Sequence, residues 1–141
     1  MSIIEDQTGF SKSLTLHNDK TEFFFHKLSL ADRQIINVQI DGIMDTTFDI
    51  PMTTQASINY ASSMEIDGDT IGVPDPVLLI GDHANMKISI VASQVAKLIA
   101  LQCPKHTCLS IGSKWFGNGN EVEEGDFEKL MFIVENIKKV L

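Results

Sequence analysis

Basic residues are scarce in this chain: 11 Lys and Arg stand against 19 Asp and Glu, a net charge of −8. Such a surface repels phosphate backbones and anionic lipid and attracts basic surfaces, which argues against nucleic acid and membranes as partners. Cysteine is scarcer still, with Cys103 and Cys108 alone. Two cysteines in a chain without a secretory pattern read as reduced, small buried hydrophobes and not as a bridge. No apolar run approaches the roughly 20 residues of a membrane span. The stretch Met1 to Phe10 has no basic region ahead of an apolar one, so we expect an intracellular, cytoplasmic protein, with the nucleus as a second compartment.

Catalytic constellations are also missing. Cys103, His106 and Cys108 offer three soft ligands in a short span, but no fourth ligand stands at zinc spacing, and Pro104-Lys105 suits a tight turn. His17, His26 and His83 are scattered, and a lone His is more often a surface or satisfied core residue than a base. Gly117-Asn118-Gly119 precedes a helical pattern as a phosphate loop would. Glu121, Glu123 and Glu124 follow it, however, and would repel a phosphate there. Asp67-Gly68-Asp69 resembles a fragment of a calcium loop, but the required spacing of the Gly and closing Glu is missing, and it reads as solvated loop. No Ser sits in a Gly-x-Ser-x-Gly elbow. We therefore expect a binding protein, not an enzyme, with no cofactor and no metal.

What is present is patterned. The 141 residues, 43% of them hydrophobic, suit one domain with a single core, spanning 1–141. Lys12 to Leu16 and Thr21 to Leu28 flank turn-prone Asn18-Asp19-Lys20 and read as a hairpin. Gln34 to Ile40 and Ile43 to Ile50 flank Asp41-Gly42, the dipeptide that accepts positive φ, and read as a second hairpin. Between Pro51 and Pro76 there is no Lys or Arg, and Glu65, Asp67, Asp69 and Asp75 lie among Thr, Ser, Gly and Pro, which reads as a mobile acidic loop. Val77 to Ile80 and Thr107 to Ile111 read as further strands. Ile88, Val91, Val95, Leu98 and Ile99 recur at helical spacing and stop at Pro104. A C-terminal helix carries Phe127, Leu130, Met131, Val134, Ile137 and Leu141 as its apolar stripe, with an acidic start and Lys138-Lys139 near its end to suit the helix dipole.

This order predicts an α+β fold: a mostly antiparallel sheet of about six strands with two helices on one face. Alternation puts Phe23 and Phe25 on one side of their strand and Phe24 and Leu28 on the other, so both sheet faces carry large apolar groups. A face without helices implies a partner, and we expect a dimer through Phe23, Phe25, Ile35, Asn37 and Gln39. The alternative is that the N-terminal segment folds back over that face. Lys114-Trp115-Phe116, with the only Trp in a Gly-flanked loop, is interface-prone and joins Asp67 and Asp69 as the expected client contact, against the reading that Trp115 plugs the core.

Ile35 to Ile50, Val77-Leu78-Leu79-Ile80-Gly81, the helix through Val91 to Ala96 and the terminal amphipathic helix together resemble the proteasome assembly chaperone 3 family, in a fungal-type form. The resemblance covers most of the chain after about Lys12 and rests on hydrophobic patterns and turn glycines. It implies a non-enzymatic α+β chaperone that pairs with proteasome assembly chaperone 4, or with itself. Such a pair binds proteasome α-type subunits, notably the fifth, while the 20S α-ring forms, and then dissociates. A second reading of the same elements is a cytosolic adaptor of roadblock or profilin-like shape, in a trafficking or cytoskeletal complex. Those folds usually place a helix early, whereas here four strand-like runs come first.

Overall fold

Residues 3–7, 10–52, 75–117 and 121–141 are described by a computed structural model. Most of the acidic segment, with Glu65, Asp67 and Asp69, therefore lies outside the described residues. Seven strands form one sheet: β1 (Ile3–Gln7), β2 (Ser11–Asn18), β3 (Thr21–Ser29), β4 (Arg33–Ile40), β5 (Thr46–Ile50), β6 (Val77–Ile80) and β7 (His106–Ile111). Their order across the sheet is β1-β2-β3-β4-β7-β5-β6. Among the described residues, two helices, α1 (Met86–Gln102) and α2 (Asp126–Val140), and a 3-10 turn at Lys114–Phe116 accompany the sheet. The expected α+β class holds. The segment Ile3–Gln7 adds an edge strand beside β2 instead of folding over a sheet face.

One face of the sheet is the core because the apolar residues of each strand alternate in register. Phe23 stands opposite Leu16 on β2 and Ile40 on β4, while Phe25 stands opposite Leu14 and Val38. On β7, Leu109 pairs with Ile36 and Phe48, and Ile111 pairs with Val38 and Thr46. All these apolar side chains are buried and join Ile88, Val91, Val95 and Ile99 of α1 and Ile133, Ile137 and Val140 of α2 in a single cluster. Period two in the strands meets period 3.6 in the helices at this layer.

The second expected hairpin is corrected by the pairing. Asp41 (φ 52°) and Gly42 (φ 77°) do make the tight two-residue turn, and Ile40 and Ile43 exchange both backbone hydrogen bonds across it. The strands then part, and β7 inserts between them, parallel to β4 and antiparallel to β5. Local sequence specifies the turn. A strand more than 50 residues downstream takes the hydrogen bonds that a hairpin would have used.

Helix ends are satisfied locally. Asn85 caps α1 by accepting the Ile88 N–H at 3.2 Å and donates Nδ2–H to the Gly117 carbonyl at 3.3 Å, which ties the loop after β7 to the helix start. At the far end of α1, buried Gln34 donates to the Cys103 carbonyl and to Thr107 Oγ1, at 3.1 and 3.0 Å. Lys27, also buried, donates to the Leu141 carbonyl past the end of α2. Among the described residues no helix is long and apolar enough to cross a membrane.

The C-terminal helix departs from the expected stripe. Its buried line is Ile133, Asn136, Ile137 and Val140, while Phe127 is 68% and Met131 37% exposed. The helix is apolar on two sides, and only one of them faces the sheet.

Candidate interaction surfaces

The sheet face opposite the helices is not covered by any described element. Its side chains follow from register: Thr15, Phe24 and Gln39 form one row, and Ser13, His26, Asn37, Ser110 and Thr47 a second. Leu28, Ile35, Cys108, Asp49 and Val77 form a third. Most are half-buried by their neighbours alone. Ser11 Oγ and His26 Nε2 lie 3.0 Å apart, as do the hydroxyls of Thr47 and Ser110.

The five residues expected at the partner interface do not share this face. Ile35, Asn37 and Gln39 lie on it. Phe23 and Phe25 are fully buried and point to the helices, opposite Ile40 and Val38. The residue of β3 that stands beside Gln39 on the open face is Phe24, stacked with His26 at a centroid distance of 6.0 Å.

On the same face His106 Nε2 is hydrogen-bonded to Asp49 Oδ1 beside Cys108. The three residue types would suit a nucleophilic thiol, but the thiol is set the wrong way. Burial, aided by the nearby Asp49 charge, pushes the Cys108 pKa above its ordinary value, so the protonated form dominates at neutral pH. Among the described residues no three His, Cys, Asp or Glu side chains are grouped to hold a metal ion.

Lys114-Trp115-Phe116 divides between surface and core. Phe116 is buried at 5% exposure, and Trp115 is half-buried in edge-to-face contact with Phe23 and Phe116, at 4.8 and 5.1 Å. Lys129 covers the indole at 5.3 Å and donates to the Trp115 carbonyl at 2.8 Å. Trp115 thus joins the 3-10 turn to the aromatic end of the core, leaving Lys114 as the exposed member of the three.

Before that turn, Asp45 accepts the Ser113 N–H at 2.9 Å and the Ser113 and Thr46 hydroxyls at 3.0 and 3.1 Å. Burial works to raise its pKa, but these donors outweigh it and hold the carboxyl below its ordinary value. A folded-state pKa below the unfolded one contributes stability that is full above about pH 4 and lost as pH falls through the folded value. Asp45→Asn should therefore cost about 1 kcal/mol at pH 7, discounted for exposure. Urea midpoints of the variant and the natural chain should converge as pH is lowered from 4 to about 2. A gap that stays constant with pH would show that the Asp45 charge contributes nothing.

A third surface, which the sequence patterns did not single out, is an apolar groove of about 220 Å³ between the first halves of α1 and α2. Ile90, Val122, Phe127 and Leu130 line it, and its edge holds Lys87 between Glu123 and Asp126, each 3.2 Å from Nζ. Burial works to lower the Lys87 pKa, and the two carboxylates more than offset it, so the amine stays charged and paired. The available signal was Met86 and Ile90, four residues apart off the main stripe of α1, and Val122 and Phe127 alone among acids.

Comparison with known proteins then places the fold. A chain in a crystal structure of a novel chaperone complex for yeast 20S proteasome assembly superposes with a TM-score of 0.63 at 19% identity, covering 92% of this chain and 96% of that one. A search of curated protein sequences gives no match. A family model described as 20S proteasome chaperone assembly proteins 3 and 4 matches residues 1–138. With a match that runs from the first strand through nearly all of α2, this chain belongs to the family of 20S proteasome chaperone assembly proteins 3 and 4.

Proposed function

We propose that this chain is a non-enzymatic cytoplasmic chaperone that pairs with a second chaperone of similar fold, proteasome assembly chaperone 4. The pair holds α-type subunits, notably the fifth, while the 20S α-ring forms, and leaves before the particle is complete. The observation that carries the reading is the family match over residues 1–138. It is supported by the sheet face that no described element covers, where Phe24, Leu28 and Ile35 offer apolar surface among Asn37, Gln39 and Ser110. Face-to-face packing of two such sheets buries the apolar groups of both and leaves the polar ones to pair across the seam. Loop contacts at Lys114 and in the acidic segment with Asp67 and Asp69 serve the client in this scheme. The net charge of −8 speeds encounter with a basic subunit surface more than it deepens affinity.

Affinity purification of the tagged chain from cells of its source, followed by native mass spectrometry, tests the reading. A similar-sized second chaperone recovered with α-type and without mature β-type subunits is expected. Stoichiometric trafficking or cytoskeletal proteins without any proteasome subunit would replace it with the adaptor reading. Recovery of the chain paired only with itself would remove the heterodimer.

A further inference from the structure

The groove between α1 and α2 lies on the far side of the molecule from the open sheet face and has its own chemistry. Its apolar lining is exposed: Ile90 of α1 is 50%, Phe127 of α2 68% and Val122, in the loop before α2, 91% exposed. At about 220 Å³ it is smaller than the roughly 300–1,000 Å³ of pockets that enclose whole small molecules, so it suits side-chain anchors. Charge selects what surrounds those anchors. Glu121, Glu123, Glu124, Asp126 and Glu128 fall within eight residues with no Lys or Arg among them. Lys87, the one cation among the described residues that line the groove, is already held by Glu123 and Asp126. Lys129 is turned to Trp115. Glu121 and Asp126 line the groove and Glu123 stands at its edge, so with Lys87 counted the rim carries a net negative charge around an apolar floor.

We propose that this groove docks a segment of a partner protein that carries one or two large apolar anchors flanked by Lys or Arg, in the manner of an amphipathic helix laid into a groove. The floor supplies the apolar contact, and the acidic rim rejects acidic segments and steers basic ones. The site goes beyond pairing through the sheet and does not depend on it.

Fluorescein-labelled designed helical peptides of 14 residues provide the test, in titrations of the full chain followed by amide NMR. One has Leu at positions 3, 6, 7 and 10 with Lys elsewhere on the polar face, a second has Glu for those Lys, and a third keeps Lys but has Ser for Leu. The Leu/Lys peptide is expected to bind at least tenfold tighter than either of the others at 50 mM salt. Its shifts should fall on residues 86–91 and 121–130, and Phe127→Ala and Ile90→Ser should each weaken it at least fivefold. Both side chains are at least half exposed, so these variants fold. Equal binding of the Leu/Lys and Ser/Lys peptides would overturn the inference, since general charge attraction would then suffice. So would shifts confined to the open sheet face, or a dimer of this chain that Phe127→Ala converts to monomer.

Discussion

Phe23→Asp is expected to unfold the domain. The ring is fully buried, 4.8 Å in edge-to-face contact with both Trp115 and Phe132, and stacked along the strand with Phe25 at 6.3 Å. Truncation to Ala alone should cost about 4 kcal/mol through lost transfer free energy and the cavity left behind. A carboxylate at the same place adds an unpaired buried charge worth several kcal/mol more. The sum is comparable with the roughly 5–15 kcal/mol that holds a domain folded. Circular dichroism should show loss of native structure for Phe23→Asp. By contrast Phe24→Ser, one residue along and on the open face, should keep the native spectrum. A folded Phe23→Asp monomer would mean that the two faces of β3 have been assigned the wrong way round.

Gly112→Ala is expected to be the most costly substitution among the described glycines. A Cβ at Gly112 would stand 2.5 Å from the Ile43 carbonyl oxygen, a backbone atom fixed in the turn that Asp41 and Gly42 close. The Gly112 N–H donates to the Val38 carbonyl at 3.2 Å, so the residue sits where β7 leaves the gap between β4 and β5. Relief requires either the turn or the end of β7 to move, and we expect a cost of about 3 kcal/mol, the upper range for overpacking. Gly42→Ala, strained at φ +77° but with nothing within 4 Å of its Cβ, should cost only about 1 kcal/mol. Thermal melts of the two variants rank the effects, and an equal loss would place the restriction in backbone conformation and not in contact.

The different fates of these residues show what the sequence records and what it does not. Alternation within β3 and β4 is legible because burial has period two, and so Ile36, Val38 and Ile40 are separated correctly from Ile35, Asn37 and Gln39. Which face of β3 joins which face of β4 depends on register across the turn between them. Phe23 opposite Ile40 is one of two choices, and the pattern alone does not decide between them. The Asp41-Gly42 turn is legible for the same local reason that its neighbours' pairing is not. Positive φ belongs to two residues, whereas the insertion of β7 depends on contacts across more than 50 residues. In α2, apolar residues on two sides gave one blurred stripe, which mixed the sheet-facing Ile137 with Phe127 and Met131 on the outside. The surfaces were legible in part. A sheet face that no described element covers was expected from counting helical patterns, but a groove between two helices depends on their packing, which no single helix pattern contains.

The central claim is that the open face of the sheet, and not the helix-covered one, joins this chain to a second chaperone. Sedimentation of an Ile35→Asp, Phe24→Asp double variant mixed with the partner chaperone recovered from cells tests it most directly, with circular dichroism alongside. The account predicts a natively folded monomer that no longer forms the complex, because the two side chains are half-buried on the face away from the core. A complex of unchanged size and stability would contradict it.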